Sequence, residues 1–232
     1  DVDKLTAALI DDPEYQITLV YDWFVKCRQV RFCSTNSLIP CFVDISIYDR
    51  AAENSKRAND QLRQLRIELM DFFDKNEREF SFWKDNPWMV HPHSGLSVQC
   101  GDVDLEAQRT VVSSAEIDLV QSVFDSFNEK AHDLGLLTDE SRGDFAYAID
   151  NVFDAPKRKI IWDRNDILPV RKHPFDSFSF LVPAKAEKVA DDCYPGWPYM
   201  PMDICGHDHF AKDVLSDPDV RSAMAKFVDE CN

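Results

Sequence analysis

Between Tyr48 and Trp83 the chain runs without a glycine or a proline, and along it small and apolar residues recur at steps of three and four. The stripe is Ala51, Ser55, Ala58, Leu62, Leu65, Leu69, Phe72, Asn76, Phe80 and Trp83. That spacing gathers side chains on one face of a helix and scatters them over both faces of a strand. Acid-first pairs four residues apart (Glu53 with Arg57, Asp71 with Lys75, Asp74 with Arg78) line the outer faces and add a little helix stability each. The expectation is one long central helix, about 48–84, ended by Asn86-Pro87.

The other segments are read as packing around it. Asp12-Pro13-Glu14 has the chemistry of a helix start, and Ile17, Val20, Phe24 and Cys27 form one face of a helix expected to run to Arg31. Residues 34–47 read as a connection, extended around Phe42 to Ile47. The period changes after Trp88, giving a short β insertion near 88–112. Ser113-x-x-Glu116 is a capping box, followed by Ile117, Val120, Phe124, Phe127, Ala131 and Leu134 on one face, with Gly135 as the left-handed stop. Thr138 is read as the cap of a further helix ending at Ala155-Pro156, which makes residues 113–153 a helical hairpin.

Eight of the twelve prolines fall at or after Pro156. The division expected is therefore a helical core over 1–155 and a proline- and aromatic-rich C-terminal section over 156–232. The latter holds short strands at 159–162 and 178–182, a covering loop at 193–202 and a last helix from Asp217-Pro218. The fold class expected is α+β, predominantly α: a helical bundle-like core around the long central helix, with a small sheet.

Forty-two acids against 26 lysines and arginines give a formal charge of -16. That balance disfavours nucleic acid as a bulk ligand and favours a protein partner with a basic surface. No apolar run is long enough to span a bilayer, and no opening segment joins a basic start to an apolar run, so no membrane partner is expected. Seven cysteines without a CxxC pattern read as small core residues of a protein in the reducing cytoplasm.

Four of the six histidines form two His-x-His pairs, His91/His93 and His207/His209. In an extended segment such pairs point one way and can grip a divalent metal such as zinc, with Asp208, Asp102, Asp104 or Asp203 completing the sphere. Gly206-His207-Asp208-His209 is similar to the closing Gly-His-x-His motif of calcineurin-like metallophosphoesterases. That family's opening Asp-x-His and its Gly-Asn-His motif are absent from the sequence, and the family is not assigned. Tyr194, Trp197 and Tyr199 form an aromatic cluster suited to partner binding. Two locally basic runs, Arg50 to Arg66 and Lys157 to Lys172, read as solvated faces interleaved with acids. The function expected is that of an acidic protein binding another macromolecule, of inhibitor, immunity or adaptor type. The alternative is a metal-dependent hydrolase built on the two His-x-His pairs.

Overall fold

The computed structural model describes residues 2–36, 38–39, 42–90, 113–151, 159–193, 198 and 216–231. It divides into two compact units interleaved along the chain. The first comprises Asp1–Ser46, Phe73–Ser122 and Cys205–Asn232, and the second comprises Ile47–Phe72 and Val123–Ile204.

In the first unit a short helix α1 (Val2–Ala8) precedes two strands, β1 (Tyr15–Asp22) and β2 (Cys27–Ser34). They pair antiparallel from Tyr15 opposite Ser34 to Asp22 opposite Cys27. The helix expected from Asp12 to Arg31 is therefore a hairpin. Ile17, Thr18, Leu19, Val20 and Tyr21 are consecutively buried, so β1 is covered on both faces. A strand covered on both faces shows no polar alternation, and Ile17 and Val20 of β1, exposed Phe24 of the turn and Cys27 of β2 fall by chance at helical spacing. Asp12 does cap backbone donors, those of Glu14 and Tyr15 at 2.9 and 2.8 Å, but the turn it makes leads into β1.

The β1–β2 turn is held from within. Asp22 accepts from the amides of Phe24 and Val25, and its burial raises the carboxyl above its ordinary pKa. Lys26 adopts a left-handed φ of 47°. Its buried ammonium donates to the Trp23 carbonyl at 2.7 Å, lies 3.0 Å from Asp74 and sits 3.8 Å over the Trp23 ring.

Strand β3 (Phe42–Ile45) joins the outer side of β2, within the segment read as extended. The second unit opens with β4 (Tyr48–Ala51), followed by α2 (Lys56–Lys75), which passes back into the first unit at Phe73. The long helix over 48–84 is thus three elements. Tyr48 to Ala51 pair with a later strand, and the Ser55 hydroxyl accepts from the Ala58 amide at 3.0 Å, an N-cap inside the uninterrupted stretch. After Lys75 a turn at Asn76 leads to the short α3 (Ser81–Asp85). Ala58, Leu62, Leu65 and Leu69 are buried as the stripe requires. It continues through Phe73, set edge-on to Phe80 and Trp83, whereas Phe72 is exposed. The Trp83 indole donates to the Tyr21 carbonyl at 3.0 Å, tying α3 to β1. Strand β5 (Trp88–Val90) pairs with β1, completing a sheet ordered β3-β2-β1-β5.

Helix α4 (Ser114–Asp133) has the ends read from its sequence. The Ser113 amide donates to Glu116 at 2.9 Å, and the Glu116 amide donates to the Ser113 hydroxyl at 3.3 Å. Gly135 at φ 66° closes the other end, with the Leu136 amide bonded to the Ala131 carbonyl. The helix expected after Thr138 is instead strand β6 (Asp144–Tyr147), central in a sheet ordered β4-β6-β7, where β7 is Ile161–Trp162. Tyr147 stacks on Tyr48 and meets Trp162 edge-on, so aromatic cross-strand contacts outweigh the helical periodicity of Phe145 to Phe153. Asn59 of α2 accepts from the amides of Ile160 and Ile161, fastening β7 to that helix. The remaining elements among the described residues are α5 (Arg164–Ile167), β8 (Arg171–Phe175), β9 (Phe178–Val182), α6 (Ala186–Cys193) and α7 (Pro218–Cys231).

The predominantly helical bundle is therefore overturned: 44% of the described chain is helix and 25% is strand, in several antiparallel sheets. Among the described residues no helix is long and apolar enough to cross a membrane.

Candidate functional site

The feature that stands out from these two units is the hairpin β8–β9. Strand pairing runs from Arg171 opposite Val182 to Phe175 opposite Phe178, leaving Asp176 and Ser177 as a two-residue turn. Asp176 takes a positive φ of 52°, as central residues of two-residue hairpin loops commonly do. Among the described residues no third strand joins either side.

Alternation along the strands sorts the side chains. Arg171, His173, Phe175, Phe178, Phe180 and Val182 share one face, and Lys172, Pro174, Ser179 and Leu181 share the other. The rings of Phe175 and Phe180 lie 5.7 Å apart, those of Phe178 and Phe180 6.5 Å. Yet Phe175 is 67% exposed, Phe178 57%, Phe180 54% and Leu181 67%. The phenyl groups touch one another rather than a core.

The base of the hairpin is fixed. The Arg171 guanidinium donates to the Ala184 carbonyl at 3.3 Å and pairs with Glu187, while its Nη1 lies 3.5 Å from Nδ1 of His173. The amides of Ala184 and Lys185 donate to the carbonyls of Ile167 and Asp166. The Asp166 carboxylate is buried and receives the ammonium groups of Lys185, at 2.7 Å, and Lys188. Those two donors, Lys185 first, hold its carboxyl below the usual range. α5 and α6 thus clamp the strand ends while the far end projects its phenyl groups.

The residues singled out from sequence are placed as follows. His91, His93, His207, Asp208 and His209 lie outside the described residues, as do Asp102, Asp104, Asp203, Tyr194, Trp197 and Tyr199. Among the described residues no group of three or more His, Cys, Asp and Glu is arranged to hold a metal. Cations of both basic runs pair with acids: Lys56 with Asp60 and Arg57 with Glu53 along α2, and Lys159 with the distant Asp192. Cys27 and Cys33 are buried on β2.

Sequence reasoning found β9 by its alternation but missed β8 and the exposure of both strands. The signal was weak: Arg-Lys-His-Pro-Phe holds a lysine and a proline, which strands disfavour, and Asp176-Ser177 lacks the glycine that usually marks a two-residue hairpin turn. Comparison of the chain with protein families, curated proteins and solved structures finds no match, so function is argued from its own geometry.

Proposed function

We propose that the protein works by binding another protein, with the phenyl face of β8–β9 as the anchor and a partner that presents a basic surface. The observation that carries this reading is the exposure of Phe175, Phe178, Phe180 and Leu181 on one hairpin whose base is rigidly clamped. Large apolar side chains clustered in water mark interaction surfaces, and aromatic anchors dominate binding energy at the centre of an interface. The charge of -16 supplies the complement: it draws a basic partner from a distance, and the phenyl face holds it. The free thiols of Cys27 and Cys33, buried in the first unit, suit action in the cytoplasm.

The test compares wild type with F178S/F180S as bait in lysate at low and high salt. The expected result is one or more basic proteins retained by wild type, lost from the double variant at unchanged melting temperature, and released as salt screens the field. Equal retention by both baits, or retention indifferent to salt, refutes the reading.

A further inference from the structure

The two edges of the β8–β9 hairpin differ, and the difference selects an occupant for one of them. Proline has no N–H, so Pro174 and Ser179 cannot be a pair that exchanges two backbone hydrogen bonds. The exchanging pairs are then Arg171 with Val182, His173 with Phe180, and Phe175 with Phe178. The backbone groups of Lys172 and Pro174 point out of the β8 edge, and those of Ser179 and Leu181 out of the β9 edge. β8 carries two devices that protect an edge, a proline in place of an outward donor and an exposed lysine. β9, Phe-Ser-Phe-Leu-Val, carries neither: it has no charge, no proline and no interruption of register.

The geometry points to a second copy of this chain as the occupant of that edge, with β9 pairing antiparallel to its own counterpart about Phe180. This register sets Ser179 opposite Leu181 of the other copy and Leu181 opposite its Ser179. Both outward pairs on each strand are then satisfied by one two-fold operation. A two-fold axis at Phe180 also keeps Phe178, Phe180 and Val182 of both copies on one side, so a four-stranded sheet presents one continuous phenyl face. Charge permits the contact, since β9 is the uncharged strand of a strongly acidic chain. Area limits its strength. Three phenylalanines and a leucine with these exposures leave on the order of 400–500 Å² of apolar surface per copy. Edge pairing leaves the phenyl face in water and withdraws only part of that area, which falls below the roughly 1,000 Å² at which specific interfaces begin. The dimer is therefore weak and concentration-dependent. Each copy also carries -16, so salt strengthens it, opposite to the salt response of a basic partner.

Sedimentation velocity of the full chain over a concentration series, at low and high salt, tests the pairing. The wild type is expected to shift from monomer towards dimer as concentration and salt rise. S179K/L181K places like charges opposite each other twice across the axis and is expected to weaken dimerisation by about tenfold. S179E/L181K keeps the substitution that faces Lys172 within the hairpin but makes both cross-axis pairs opposite in sign, and is expected to restore dimerisation, which a merely misfolded hairpin would not do. A monomer at every concentration and salt overturns the pairing, as does equal weakening in both variants. If the chain stays monomeric while S179K/L181K loses a captured partner, the β9 edge takes a strand from a different protein, and self-pairing is likewise overturned. Loss of capture in F178S/F180S with the dimer intact would leave both readings standing separately.

Discussion

The chain builds two hairpins from similar material and uses them in opposite ways. β1–β2 is flanked on both sides, by β5 and β3, and Ile17 to Tyr21 vanish into the first unit. β8–β9 has no flanking strand among the described residues and holds its phenyl groups in water. Each turn contains one non-glycine residue in the left-handed region, Lys26 and Asp176. In the first hairpin that residue is bound into its surroundings; in the second no described contact engages the Asp176 side chain. Strand sequence alone does not decide whether a hairpin is core or surface: what covers it does.

The largest expected effect tests the burial contrast directly. Ile17→Ala should cost about 2–5 kcal/mol by opening a cavity between covered faces. Phe180→Ala should stay within about 0.5 kcal/mol, as a surface change does. Urea denaturation of both variants measures this, and a Phe180→Ala cost approaching that of Ile17→Ala would mean that the second hairpin is covered after all.

Glycine at the two strained positions should act with opposite sign. A left-handed non-glycine residue carries about 1–2 kcal/mol of strain, which either substitution relieves. Lys26→Gly also removes the bonds to the Trp23 carbonyl and Asp74, and hydrogen bonds of charged groups contribute about 1.5–3 kcal/mol each. A net loss of about 1 kcal/mol is expected. Asp176→Gly should instead gain about 0.5 kcal/mol, since aspartate tolerates the conformation better than most residues and relief is partial. Thermal melts separate the two signs.

An effect graded by pH concerns what fastens the second hairpin. Lys185 and Lys188 depress the Asp166 carboxyl, so the folded state holds that proton less tightly than the unfolded chain. The stabilisation is complete above the ordinary carboxylate range and fades as pH falls through the lowered value. Asp166→Asn should thus be less stable than wild type near about pH 7, with the gap closing towards about pH 3. Both lysines are about half exposed, so added salt should narrow the gap further. A gap constant with pH would assign the role of Asp166 to packing alone.

Local chemistry was legible in the sequence wherever an element is decided by its own ends. Ser113, Glu116 and Gly135 delimit α4 because a capping box and a left-handed glycine act over four residues and need no partner. Tyr48 to Ala51 were not legible as a strand, because their partner is Asp144–Tyr147 and nothing nearby announces it. The lack of glycine and proline after Tyr48 permits a helix without requiring one, and Ser55 was the cap hidden in the pattern. For β1 the difficulty was two-sided burial, which erases alternation. The phenyl face was half visible: the alternation of Phe178, Phe180 and Val182 gave the strand, but exposure depends on what other segments leave uncovered.

The interleaving of the units also sets a timetable for synthesis. The β1–β2 hairpin closes on itself within a few residues and is available as soon as it emerges from the ribosome. The first strand of the second unit, β4, has no such local partner. Asn59 must wait for Ile160, 101 residues later, and the Ile47 carbonyl for Asn151, 104 residues later. Contacts of that separation slow folding, because the loop is closed before any contact offsets its entropy. Until Asp144–Tyr147 are made, β4 has no ladder to join, which leaves an aromatic strand open to wrong pairing during translation.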